Sequence, residues 1–164
     1  MNVTTLENKP LKCLSIAQPW AWAIFNGKDF ENRVWHSRGV AGPLLIHASR
    51  SLKYEDDMQW LVDHGHNPPP FASLYKGFII GIVHHIGCWH ISHLGACKVP
   101  RTHFAEGPYC HVYQHQTPFK NPIAYRGSLG MFDVPINDVR AELNLLPPNR
   151  KRGFRELYKH WCAN

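Results

Sequence analysis

The segment K-G-F-I-I-G-I-V-H-H-I-G-C-W, residues 76–89, constrains the fold more than any other. Its apolar, β-branched run predicts a buried strand. Gly81 and Gly87 interrupt that strand where bulges form, or where a sheet bends tightly enough to close on itself. A buried strand needs partners, and the chain offers several short ones: residues 12–16, an alternating stretch over 28–36, P-L-L-I-H-A-S at 43–49, Y-C-H-V-Y-Q-H-Q at 109–116, a segment near Ile123, and L-G-M-F-D-V-P at 129–135.

Helices fill the gaps. A-Q-P-W-A-W-A-I-F-N-G-K reads as a compact helix with Pro19 in its first turn, Trp20, Ala23 and Ile24 on one face and Gly27 just past its end. Met58, Leu61 and Val62 recur at helical spacing over 53–65 until N-P-P-P stops them. A short amphipathic helix is predicted around Val139–Leu143 and a basic one over Arg152–Trp161, with Phe154, Leu157, Tyr158 and Trp161 turned inward. Short strands with helices inserted early and late predict an α+β fold, a small barrel in a single domain spanning 1–164. The length of 164 residues suits one core and leaves little for a second. A composition 44% hydrophobic and only 18% charged excludes a disordered basic tail or a coiled coil. No stretch approaches the roughly 20 apolar residues of a membrane span, and the first ten residues lack a signal peptide's pattern, so a cytoplasmic protein is expected. Five cysteines, an odd number with no C-x-x-C, fit free thiols.

Chemistry concentrates in the first third: Gln18, Trp20, Lys28, Glu31, Asn32, Arg33, Trp35, Arg38 and His47. Such a set suits a pocket for one unpaired base. Trp20 or Trp35 would stack on it, Gln18 and Asn32 offer paired donors and acceptors, and Glu31 can accept from an exocyclic amine. Lys28, Arg33 and Arg38 would hold phosphate or sugar. Each residue also has a plain structural role: core aromatics, a surface ion pair, a turn amide. The net charge of +6 favours an anionic partner without naming one.

L-S-I-A-Q-P-W-A-W-A-I-F-N-G-K-D-F-E-N-R-V-W followed by R-G-V-A-G-P-L-L-I-H-A-S resembles the signature of the ASCH (activating signal cointegrator homology) family. Residues 76–89 and P-F-K-N-P-I-A-Y-R-G-S-L-G-M-F resemble that family's later core strands, so the likeness spans about 12–133 and leaves 134–164 as a C-terminal helical extension. The resemblance implies a PUA-like β-barrel and a partner in RNA, single-stranded nucleic acid or a modified nucleoside. Some small members deacetylate N4-acetylcytidine with a lysine, a threonine three residues later and a distant glutamate. Here the lysine falls on Lys28, but Glu31 stands at the threonine position, and a carboxylate does not replace a hydroxyl nucleophile. If the chain is an enzyme, Lys28 and Glu31 are its acid/base pair, with Glu106 as the distant carboxylate and His47 as a base in a metal-free ribonuclease. The leading expectation is a nucleic-acid binding domain. A nucleoside or nucleic-acid enzyme is the alternative, and a protein interaction module of transcription regulation comes third.

Two further features ask for a place. Nine histidines lie between His64 and His115, where Glu106 is the sole acid between Asp63 and Asp133. Cys88, His90, His93 and Cys97 have zinc-binding chemistry, but C-x-H-x-x-H-x-x-x-C is not a zinc-finger spacing. Neither a metal nor another cofactor is expected, and partly exposed histidines are the default reading. The terminal N-R-K-R-G-F-R-E-L-Y-K-H-W presents a basic face that can meet either phosphate or plain solvent.

Overall fold

The computed structural model describes residues 8–95 and 102–164. Six strands form one sheet: β1 (Leu11–Ile16), β2 (Phe30–Arg33), β3 (Gly42–Ala48), β4 (Phe78–His90), β5 (Tyr109–Ala124) and β6 (Met131–Val134). Their order is β2-β5-β4-β3-β1-β6, with β1 and β3 parallel and every other pair antiparallel. Helices α1 (Trp20–Ile24), α2 (Asp57–Asp63), α3 (Ile136–Leu145) and α4 (Pro148–Ala163) complete the α+β fold.

The expected closed barrel is not seen. The sheet is open, and its two edges, β2 and β6, are each four residues long and are not paired with one another. The glycine-interrupted strand does bend the sheet: the register against β5 slips at Ile79/Gly81, Ile82/His84 and His85/Gly87. Gly81 is needed for close approach, because a Cβ there would stand 2.5 Å from the Phe25 ring and 2.6 Å from the Thr117 carbonyl oxygen. Curvature therefore brings β2 round toward β1 without completing a ladder. A side chain spans the gap instead, as Arg33 Nη2 donates to the Ser15 carbonyl at 2.9 Å.

Strand alternation splits the core into two faces. Leu11, Cys13, Leu45, Ile79 and Ile82 pack with α3 and α4 through Val139, Leu143, Phe154 and Tyr158. Leu14, Ile16, Leu44, Ile46 and Val83 pack with α1 through Ala21 and Ile24. The two strands expected at 109–116 and near Ile123 are one continuous β5, kinked at His115, whose φ is +55°. Helix α1 is shorter than the sequence suggested, bounded by Pro19 and by the turn that Gly27 makes at φ +107°. Helix α4 begins four residues earlier than expected, because Pro148 is well placed in its first turn.

His85 is wholly buried on β4, its ring stacked 5.4 Å from that of His111. Burial, helped by the neighbouring His111, pulls its pKa from 6.5 down to about 3. The unfolded chain therefore takes up a proton below pH 6.5 that the folded chain refuses. Stability should fall as pH drops from 6.5 toward 3, by about 1.4 kcal/mol per pH unit from this residue. Urea unfolding at pH 7, 6 and 5 checks this, and His85→Phe should make the decline shallower by that amount.

Candidate functional site

A cleft of about 420 Å³ opens where the barrel would have closed. Ser15, Ile16 and Ala17 line it from the end of β1, Trp20 from the start of α1, Lys28 from the turn that follows, and Glu31, Asn32 and Arg33 from β2. Ser49 after β3, Tyr54, Asp57 and Trp60 at and before α2, Phe104 and Glu106 of the segment before β5, and Leu129 of the segment before β6 complete it.

Its floor is a buried charge cluster. Lys28 Nζ meets Glu31 Oε2 at 2.6 Å, the two being 3% and 7% exposed, and Glu31 Oε1 meets Arg33 Nε at 3.1 Å. Lys28 precedes β2, so the turn of the chain into the strand, and not strand alternation, lets it meet Glu31 three residues on. One wall is aromatic. Trp20 and Trp60 contact edge to face at 5.4 Å, Trp60 abuts Phe104, and the Trp20 indole donates to Asp57 Oδ2 at 2.8 Å. Lys28 Nζ lies 5.6 Å from the centre of the Trp20 ring, within cation–π reach. Counted over the lining, two cations face three carboxylates, Glu31, Asp57 and Glu106. A phosphate would be repelled here, whereas an uncharged ring with amine or amide edges meets both donors and acceptors.

Of the sequence candidates, the cleft gathers Trp20, Lys28, Glu31, Asn32, Arg33 and Glu106. The others lie elsewhere or are already engaged. Gln18 is 1% exposed and ties backbone to backbone, donating to the Tyr75 carbonyl and accepting from the Trp22 N–H, so it cannot read a base. Asn32 is similarly committed: its Nδ2 donates to the Phe104 carbonyl and its Oδ1 accepts from the N–H groups of Glu106 and Gly107. Trp35 packs edge-on to His111 outside the cleft. Arg38 sits in an exposed turn at φ +44°, braced by His36, and does not line the cleft. Cys97 lies outside the described residues, and among the described residues no three His, Cys, Asp or Glu side chains gather as a metal site. The basic α4 packs its C-terminal Trp161 on Gly42 and donates from its indole to the Pro10 carbonyl, at the opposite ends of β3 and β1 from the cleft. Among the described residues, no helix is long and apolar enough to cross a membrane.

His47 lines not the cleft but an adjoining groove, and Ser15 lines both. The two are register partners on parallel β1 and β3, and Ser15 Oγ lies 2.6 Å from His47 Nδ1. His47 Nε2 faces the Tyr125 carbonyl at 2.8 Å. A carbonyl only accepts, so the neutral ring carries its proton on Nε2 and Nδ1 is left to accept from the serine hydroxyl. Burial lowers the His47 pKa, with a further push from Arg50, which keeps the ring in that neutral form. A hydroxyl bonded to a neutral imidazole is the pairing from which a serine nucleophile is activated. Sequence reading missed this pair, and it missed Trp60, Phe104 and Leu129 as cleft residues. The one signal for Ser15 was its place opposite His47 if residues 12–16 and 43–49 paired in parallel.

No protein-family profile matches the chain, and no curated protein is significantly similar to it. Solved structures do resemble it. The crystal structure of ASCH from Zymomonas mobilis superposes with a TM-score of 0.50 at 12% identity, covering 83% of this chain and 95% of that one. A point variant of the same protein gives a TM-score of 0.50 at 12% identity over 84% and 99%. With that order of strands, that placement of helices and near-complete coverage of the neighbour, the protein has the fold of an ASCH domain.

Proposed function

We propose that the cleft binds a single unpaired base, or a modified nucleoside, of RNA or single-stranded nucleic acid. The observation that carries this reading is an aromatic wall, Trp20 with Trp60 and Phe104, standing over a buried carboxylate held between Lys28 and Arg33. A base presents a flat ring to the wall and an edge of amines and carbonyls to the floor. Exposed Glu106 at the rim and half-buried Arg33 supply an acceptor and donors at that edge. The volume of about 420 Å³ lies in the range of small-ligand sites. The ASCH-domain fold supports a nucleic-acid role by analogy.

A second reading, hydrolysis of a bound nucleoside or nucleic acid, is favoured by the Ser15–His47 pair at the cleft's edge. It supplies the hydroxyl that the sequence lacked at position 31.

One titration tests both. Tryptophan fluorescence should report binding of short single-stranded RNA, and Trp20→Leu should weaken it about 10- to 100-fold, the worth of one stacked base. Equal affinity in the variant, with circular dichroism unchanged, would remove the pocket. Chromatography of the same mixtures separates the readings. Ligand recovered intact leaves binding alone, whereas turnover lost in Ser15→Ala marks hydrolysis.

A further inference from the structure

A groove of about 850 Å³ joins the cleft along Ser15, Ser49 and Leu129. Two loops contribute to its lining, S-R-S at 49–51 after β3 and R-G-S at 126–128 before β6. We propose that this groove carries the phosphodiester backbone beside the base held in the cleft, with Arg50 and Arg126 as the phosphate contacts. This rests on the base-binding reading above and goes beyond it by naming where the strand runs.

Charge is the first argument. No carboxylate lines the groove, in contrast to the three in the cleft. Arg50 and Arg126 are both exposed, and neither has an ion-pair partner among the described residues. The division suits a nucleotide, whose base is neutral and whose phosphate is not. Preorganisation is the second. Arg50 lies flat across Gly77, where a Cβ would come within 2.7 Å of its Nε; Gly77 adopts φ +81° and leaves that space clear. The arginine is thereby laid along the groove wall, which lessens the entropy lost on binding. Ser49, Ser51 and Ser128 line the same groove and add hydroxyl donors to the two guanidinium groups, the mixture that phosphate contacts commonly use. Groove and cleft are also continuous. Leu129, 97% exposed, stands at the junction of groove and cleft, an apolar lip against which a sugar or a neighbouring base would rest.

The test compares a nucleoside with a single-stranded RNA pentanucleotide, each titrated against the protein and against an Arg50→Ala/Arg126→Ala double variant over a range of salt. The expected result is unchanged nucleoside affinity, at least about a tenfold loss for the pentanucleotide, and a salt slope shallower by about 1.4, two contacts at roughly 0.7 each. A pentanucleotide that binds the variant with the same affinity and slope overturns the groove. Pentanucleotide binding that needs the arginines but ignores Trp20→Leu keeps the groove and removes the base pocket. Absence of binding by either ligand overturns both. Inorganic phosphate that binds as tightly as the pentanucleotide, and displaces it, overturns the proposal that a strand lies there.

Discussion

Glu31→Ala is expected to destabilise the protein by about 3–5 kcal/mol, the cost of leaving one member of a buried ion pair without its partner. Lys28 is 3% exposed, and Glu31 is its one carboxylate partner among the described residues. The Trp20 ring, 5.6 Å from its Nζ, replaces only a small part of that attraction. The reverse substitution should cost less. In Lys28→Ala the carboxylate keeps Arg33 at 3.1 Å, and that arginine reaches solvent with a side chain 27% exposed. The order Glu31→Ala worse than Lys28→Ala is therefore a sharper expectation than either magnitude. Replacing both, as Lys28→Met with Glu31→Leu, should recover much of the loss, since an apolar pair needs no desolvation of charge. Urea unfolding of the four proteins measures all of this. Equal costs for the two single variants would mean that Arg33 does not support Glu31. The same numbers bear on function, because a loss of binding in Glu31→Ala speaks about the site only at temperatures where the variant is still folded.

Part of the cleft's lining was legible in the first third of the chain because α1, the following turn and β2 are consecutive. Trp20, Lys28, Glu31 and Arg33 fall within fourteen residues and line one cleft. Residue type did not reveal which way an amide would face. Gln18 and Asn32 have the donors and acceptors of a base reader, but the nearest unpaired groups are backbone ones, and both amides are consumed there. The far wall was not legible, since Trp60, Phe104 and Leu129 arrive from α2 and from the segments before β5 and β6 through long-range packing that no local pattern records. Strand existence followed from apolar runs, and two of the three register slips against β5 fall at Gly81 and Gly87, whereas the slip at Ile82/His84 has no glycine to announce it. Closure did not, because it depends on whether two four-residue edges meet, and here Arg33 reaches Ser15 across a gap that the cleft occupies. The arginines of the groove passed unnoticed for a similar reason. S-R-S and R-G-S are ordinary loop sequences until β3 and β6 bring them to one end of the sheet.

Asn32→Ala is expected to cost about 2–4 kcal/mol and to loosen residues 102–107 more than the rest of the molecule. One side chain makes three bonds to that segment: to the Phe104 carbonyl at 2.8 Å and from the Glu106 and Gly107 N–H groups, each at 2.9 Å. At roughly 1 kcal/mol per bond, with the partners left partly unsatisfied, the sum reaches that range. Two restraints remain in the variant. Phe104 stays packed against Trp60 and the core around Phe30 and Leu61, and Thr102 Oγ1 still donates to Asp29 Oδ1 at 3.0 Å. The segment should therefore open locally and not unfold the domain. Hydrogen exchange should rise over 102–110 and stay unchanged in β3 and β4. Phe104 and Glu106 form part of the cleft, so, if the cleft binds single-stranded RNA as proposed, that affinity should fall with the local opening. Asn32→Asp separates the contributions, since its carboxylate still accepts from both N–H groups but faces the Phe104 carbonyl without a donor. It should restore the exchange protection of Glu106 and Gly107 while recovering only part of the stability. Exchange over 102–110 that is the same in Asn32→Ala and the parent would show that apolar packing of Phe104 alone holds the wall, and that Asn32 contributes nothing to the shape of the cleft.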